Sequence, residues 1–253
     1  MHGMIAWLWP VALGVLGAIA GSFIAALVIR WPAGRSVLAG RSACDACGRV
    51  LGPAELVPLL SVLWLRGRCR SCRAPIDRRH WQIELAAAAI GVIAGVAVPG
   101  AAGAAGALFG WVLLALAALD VTEFWLPDAL TATLALAGMV VGLLGVPPPL
   151  LDRVIGGIAG FAALWLIAAG YRLVRGREGL GGGDPKLLGA IGLWLGWRML
   201  PIVLVLACLV GLAIVLARVL TGRPVRADDR LPFGALLAIA AYPVELVMLA
   251  SAA

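Results

Sequence analysis

The sequence predicts an all-α polytopic membrane protein of about eight transmembrane helices, interrupted by one small cysteine-rich loop domain. Three observations carry this expectation. Of 253 residues, 63% are hydrophobic and 13% charged, with a mean hydropathy of +1.04. That is more apolar surface than a soluble domain can bury. The apolar residues form continuous runs rather than alternating, which suits helices that satisfy their own backbone and not a barrel. The one sizeable polar stretch, about 31–80, holds two Cys-x2-Cys pairs.

A helix needs about 20 apolar residues to cross about 30 Å of hydrocarbon. Such runs lie at 5–29, 81–98, 101–119, 129–146, 154–171, 187–197, 201–217 and 232–250. The sixth is short, so seven crossings are the alternative. The chain accordingly divides into a first transmembrane helix (1–30), a cytoplasmic tetracysteine domain (31–80) and a transmembrane domain (81–253). Ala18-Ile19-Ala20 has the form of a signal-peptide cleavage site, yet no Lys or Arg precedes Arg30. The first run therefore reads as a retained helix.

Charge sets the orientation. With the N-terminus outside, 18 of the 20 basic residues fall in loops on one side, and only Arg153 and Arg198 on the other. The positive-inside rule makes the richer side cytoplasmic. The net charge of +7 is thus a membrane-topology signal and not one for nucleic acid.

The loop cysteines are Cys44 and Cys47 in "CDAC" and Cys69 and Cys72 in "CRSC". Two such turns can present four thiolates to one Zn²⁺ in a closed tetrahedral site, structural rather than catalytic. A reducing compartment disfavours the alternative of disulfides. Fifty residues make too small a core to stand alone, so the ion would supply folding energy. Arg49, Arg66, Arg68, Arg70 and Arg73 would offset the thiolate charge. The fifth cysteine, Cys208, reads as a buried small apolar residue.

Most acids read as solvated: Asp45, Glu55 and Asp77 in the cysteine loop, Asp152 outside, Asp228 and Asp229 inside. Glu84 opens the second span, where the helix dipole favours it, and Glu245 reads as packed at an interface. Asp128 and Asp184 both fit helix N-caps, Asp184 with Pro185 behind it. A cap does not account for Gly181, Gly182 and Gly183, which admit close approach of another backbone and unusual dihedrals. Asp120 ends the third span, where a carboxylate is disfavoured. A proton shared with a second aspartate would compensate. Topology places Asp120 and Asp184 at the same cytoplasmic membrane face, and acids at that depth are functional candidates.

Two carboxylates in one low-dielectric pocket share a proton. The ionised member can draw a proton from water while the protonated one hydrogen-bonds a scissile carbonyl. His2 and His80 are the only histidines, and no Ser-His or Cys-His arrangement competes. Lys186 would bias which aspartate ionises, or pair with lipid phosphate. The accessible substrate is a peptide whose basic leader precedes an apolar membrane helix.

These segments resemble those of bacterial type IV prepilin leader peptidases, within the GxGD membrane aspartyl proteases. The resemblance runs in order through "GSFIAALVIRWP", the tetracysteine region, "LDVTEFWLPD", "GGGDPKLLGAIGLWLGW" and "LPFGALLA". It implies that Asp120 and Asp184 are the catalytic pair, Gly181 and Gly183 the motif glycines with Lys186 beside them, and Cys44, Cys47, Cys69 and Cys72 the zinc ligands. It further implies an inner-membrane enzyme that cleaves prepilins or pseudopilins of type IV pilus or type II secretion systems after a glycine. Methylation of the new N-terminus with S-adenosylmethionine would follow. Two positions depart from the pattern: Pro185 stands where a small aliphatic is expected, and Ala235 where proline often follows "PFG". Neither is expected to touch the aspartates. The competing readings are a proton-coupled transporter or assembly subunit, and a related protease with another substrate.

Overall fold

A computed structural model describes residues 7–37, 40–222 and 230–252. His2, Arg223, Arg226, Asp228 and Asp229 lie outside the described residues. The chain forms two compact units, 1–115 and 116–253. Nine α-helices are assigned among the described residues: α1 (Leu8–Arg30), α2 (Leu60–Leu65), α3 (Arg78–Ala97), α4 (Ala101–Glu123), α5 (Asp128–Leu143), α6 (Leu150–Arg175), α7 (Asp184–Leu195), α8 (Leu200–Leu220) and α9 (Phe233–Ala252). The unit boundary falls within α4.

Each predicted apolar run coincides with a helix, its ends displaced by a few residues. Six of them, α1, α3, α4, α6, α8 and α9, are long and apolar enough to cross a membrane. The 16 residues of α5 and 12 of α7 are fewer. At 1.5 Å per residue α7 is about 18 Å long. Ten of its residues are buried, so it is sheathed by protein. Beyond the exposed Lys186 its sequence is apolar all round, because protein covers nearly all of its surface.

In the first unit α1 packs on α3 through small residues. A Cβ on Gly17 would lie 2.3 Å from the Ala87 carbonyl oxygen, and one on Gly91 2.0 Å from that of Leu13. Two backbones in contact are the usual solution where lipid offers no hydrophobic drive to associate. Asp77 is not a free loop charge. Its Oδ1 accepts the Arg79 N–H at 2.8 Å and caps α3. The Arg79 guanidinium, together with that N–H, holds the carboxyl below its usual range.

In the second unit a buried arginine organises the end of the bundle remote from Asp120 and Asp184. Arg153, on α6, is 1% exposed. It donates to the carbonyls of Gly138 (3.0 Å), Val146 (3.0 Å), Pro147 (2.8 Å), Pro148 (3.0 Å) and Leu193 (2.8 Å). One side chain thereby ties α5, the α5–α6 loop and α7 together. Glu245 is buried within α9 rather than lying at an interface, and its charge acts on Arg153. Cys208 was expected to be buried but is exposed on α8, on a helix whose apolar residues need no protein cover if lipid surrounds them.

Candidate active site and metal centre

Asp120 sits in the last turn of α4 and Asp184 in the first turn of α7, each 5% exposed. The charge of Asp120 acts on Asp184. The unfavourable position of Asp120 at a helix C-terminus has a compensation that sequence did not suggest. Its Oδ2 accepts the N–H of Ala235 at 2.8 Å, and the Gly234 N–H acts on the same carboxylate. These donors belong to the first turn of α9, whose N–H groups have no partner within the helix. Ala235, expected to stand clear of the aspartates, holds one of them.

The Asp184 side chain does not cap its own helix. Its Oδ2 accepts the Gly181 N–H, three residues back, at 3.1 Å. Asp128 does not cap either: it is the first residue of α5 and accepts the Lys186 ammonium at 2.6 Å. Lys186 therefore reaches across to Asp128, not to Asp184. Both members of that pair are open to solvent.

The three glycines act singly. None has a positive φ, so unusual dihedrals are not their purpose. A Cβ on Gly183 would come within 2.7 Å of the Leu126 Cβ, one on Gly181 within 3.0 Å of Asp184 Oδ2, while Gly182 faces open space. The close neighbours are side chains, not a second backbone. A Cβ on Gly234 would meet both Leu126 Cδ1 at 2.8 Å and Asp120 Oδ2 at 3.0 Å. Leu126 is thus a wedge shared by the glycine preceding Asp184 and the glycine preceding Ala235. Leu126 and Gly234 were not singled out from sequence, and Ala235 was noted only as a departure from the pattern, although "LPD" and "PFG" held the signal.

In the first unit the four cysteines converge. Their Sγ atoms all lie within 4.8 Å of one another, and Cys44 and Cys72 are 3.8 Å apart. A tetrahedron with Zn–S bonds of about 2.3 Å has sulfur–sulfur edges of about 3.8 Å. The two turns share one construction. Cys44 N–H donates to Arg49 and Cys69 N–H to Ala74, and each pair is followed by a left-handed residue, Gly48 or Arg73. Backbone N–H groups of Cys72 and Ser71 lower the Cys69 thiol to about 6. Four thiolates this close repel one another unless a cation joins them. The donor set and spacing fit Zn²⁺. Of the five arginines expected to offset their charge, Arg49 acts on Cys69, and it also pairs with Glu55.

A helical membrane-protein architecture with two buried aspartates in one unit and a tetrathiol cluster in the other defines the class. The chain belongs to the type IV leader peptidase family. Residues 107–216 match the type IV leader peptidase family, and residues 15–98 match the bacterial peptidase A24 N-terminal domain. Among curated relatives named prepilin leader peptidase/N-methyltransferase, that of Burkholderia pseudomallei strain K96243 is 43% identical over 251 residues, covering 88% of this chain and 81% of the relative. That of Aeromonas salmonicida strain A449 is 42% identical over 208 residues, covering 82% and 71%. The Pseudomonas aeruginosa protein is 38% identical over 206 residues, covering 79% and 69%. No solved structure matches the chain.

Proposed function

We propose that the protein is an inner-membrane aspartyl endopeptidase that removes the leader of prepilins or pseudopilins at the cytoplasmic face, and that it N-methylates the new terminus. The single observation that supports this most is the pairing of two buried aspartates, Asp120 and Asp184, each oriented by backbone N–H groups and the charge of the first acting on the second. Asp120 at the end of α4 accepts from the start of α9, and its charge acts on Asp184 at the start of α7. By the charge asymmetry of the loops this end faces the cytoplasm. Beside the six helices long and apolar enough to cross a membrane, this reading takes the shorter α5 and α7 as two further membrane segments.

The two carboxyls share one proton in the ground state. The ionised carboxylate accepts a proton from a water held between them as the oxygen attacks the scissile carbonyl. The protonated partner hydrogen-bonds the carbonyl oxygen and steadies its developing charge. The same pair then returns a proton to the leaving amine. No side-chain nucleophile is needed. The tetrathiol cluster would hold Zn²⁺ as a structural ion, and S-adenosylmethionine would supply the methyl group of the second activity.

Cleavage of a prepilin in detergent micelles tests the reading. Asp120→Asn and Asp184→Asn are each expected to abolish processing while the protein still inserts. Full cleavage by either variant would sink it.

A further inference from the structure

The first unit contains a cavity of about 390 Å³, within the range of small-molecule sites. It lies between the end of α1, the cysteine loop and the start of α3. Its apolar lining residues include Ala26, Ile29, Leu51, Val62, Leu65 and Ile76. Its charged lining has more acids than bases: Asp45, Glu55, Asp77 and Glu84 against Arg30 and His80. A phosphate-bearing ligand is disfavoured by that balance.

Three of the acids are already engaged. Asp45 pairs with Arg35, Glu55 with Arg49 and the Gly52 N–H, and Asp77 with Arg79. Glu84 differs. It is 5% exposed, and its Oε2 accepts the Leu59 N–H at 2.8 Å. Its Oε1 has no hydrogen-bond donor among the described residues. Leu59 itself has a φ of +62°, a costly conformation for a branched residue, and the donor it offers to Glu84 is part of what holds it. A buried carboxylate half satisfied by protein and lining a cavity is poised for a cation. Arg30, at the last turn of α1, is the one lining guanidinium.

We propose that this cavity is the binding site for the methyl donor, a sulfonium nucleoside of the S-adenosylmethionine class, with Glu84 facing its cationic end and Arg30 its carboxylate. The inference rests on the two-activity reading above, and places the donor in the first unit, apart from the two aspartates. Ligand and lining match in form as well as charge. The donor combines a flat apolar base with a zwitterionic tail bearing net positive charge. The cavity pairs apolar lining residues with Glu84, bonded through one oxygen only, and with Arg30 and His80.

The test is isothermal titration of the intact, metal-loaded protein in detergent with S-adenosylmethionine. One site per chain is expected. Glu84→Gln is expected to weaken binding about tenfold or more, since a hydrogen bond to a charged group is lost. Ala26→Phe, which adds bulk to the apolar lining, is expected to abolish binding. Zinc content and unfolding temperature of both variants establish that they are folded. Wild-type protein that cleaves prepilin yet binds no donor overturns the inference and leaves the peptidase reading standing. Unchanged affinity in both folded variants also overturns it, by placing the donor elsewhere. Wild-type protein that binds the donor but cleaves no prepilin overturns the peptidase reading instead.

Discussion

The carboxylate of Asp120 accepts the backbone N–H of Ala235 at 2.8 Å, across 115 positions of sequence. Ala235 is the third residue of α9, where an N–H has no intrahelical acceptor. The helix therefore donates without losing a bond of its own, and its positive end faces a carboxylate that α4 alone would disfavour. Ala235→Pro deletes this donor at a position where proline is sterically tolerated. Prepilin cleavage is expected to be largely retained, because the Gly234 N–H still acts on the same carboxylate and proline is the residue that often follows "PFG". Unfolding temperature should be nearly unchanged. Steady-state kinetics of the variant beside Ala235→Gly, which keeps the donor, separates the hydrogen bond from the side chain.

Lys186 and Asp128 pair at 2.6 Å, but with side chains 47% and 74% exposed. Exposed pairs are worth about 0–1 kcal/mol. Lys186→Ala is expected to change stability by less than about 1 kcal/mol and to leave most of the cleavage rate. A loss of cleavage matching that of the aspartate variants would instead tie Lys186 to the chemistry.

The helices were legible because bilayer thickness imposes a minimum length on apolar runs, and runs of that length are visible directly. The two aspartates were legible because a charge at membrane depth is conspicuous. What sequence did not disclose was how α9 participates. Its contribution is a backbone N–H, which every residue but proline carries, so composition gives no sign of it. Leu126 was equally hidden, since a leucine among leucines becomes a wedge only once two glycines are placed against it. Glu84 and Glu245 show the opposite failure. Their positions near helix ends suggested dipole or interface roles, whereas burial within the protein decided both. Cys208 was misplaced because a small apolar residue has the same preference for lipid as for a core.

The tetrathiol cluster predicts a metal dependence that can be measured without activity. Wild-type protein is expected to carry about one zinc per chain. Cys44→Ser combined with Cys69→Ser should lose it and make the segment 40–77 susceptible to proteolysis, since so small a fold depends on its ion. Retention of stoichiometric zinc by the double variant would refute the ligand assignment.

Arg153 predicts a large stability effect far from the aspartates. Its guanidinium satisfies five backbone carbonyls and is 1% exposed. Arg153→Met keeps much of the volume but leaves those acceptors unpaired. A destabilisation of about 3 kcal/mol or more is expected, read as a marked drop in the unfolding temperature in detergent. Arg153→Lys should recover only part of it, because one ammonium cannot reach as many carbonyls as the planar fork.

The sharpest prediction concerns the glycines, because neighbours in one triplet should behave differently. Gly182 faces open space, so Gly182→Ala is expected to retain cleavage. At Gly183 a new Cβ would meet the Cβ of Leu126 at 2.7 Å, close to that side chain's root, where rotation gives no relief. At Gly234 it would meet both Leu126 and the Asp120 carboxylate. Gly183→Ala and Gly234→Ala are therefore expected to reduce cleavage tenfold or more, by displacing one aspartate relative to the other. A shift of about 1 Å is enough for such a loss. The cause can be isolated by removing the obstacle. Leu126→Gly, which removes the Cβ as well, should restore much of the activity of Gly183→Ala, whose three nearest atoms all belong to Leu126. It should restore less in Gly234→Ala, where the contact with Asp120 remains. A double-mutant cycle in which Leu126→Gly rescues neither glycine variant, or both equally, would show that the wedge does not set the separation of the two acids.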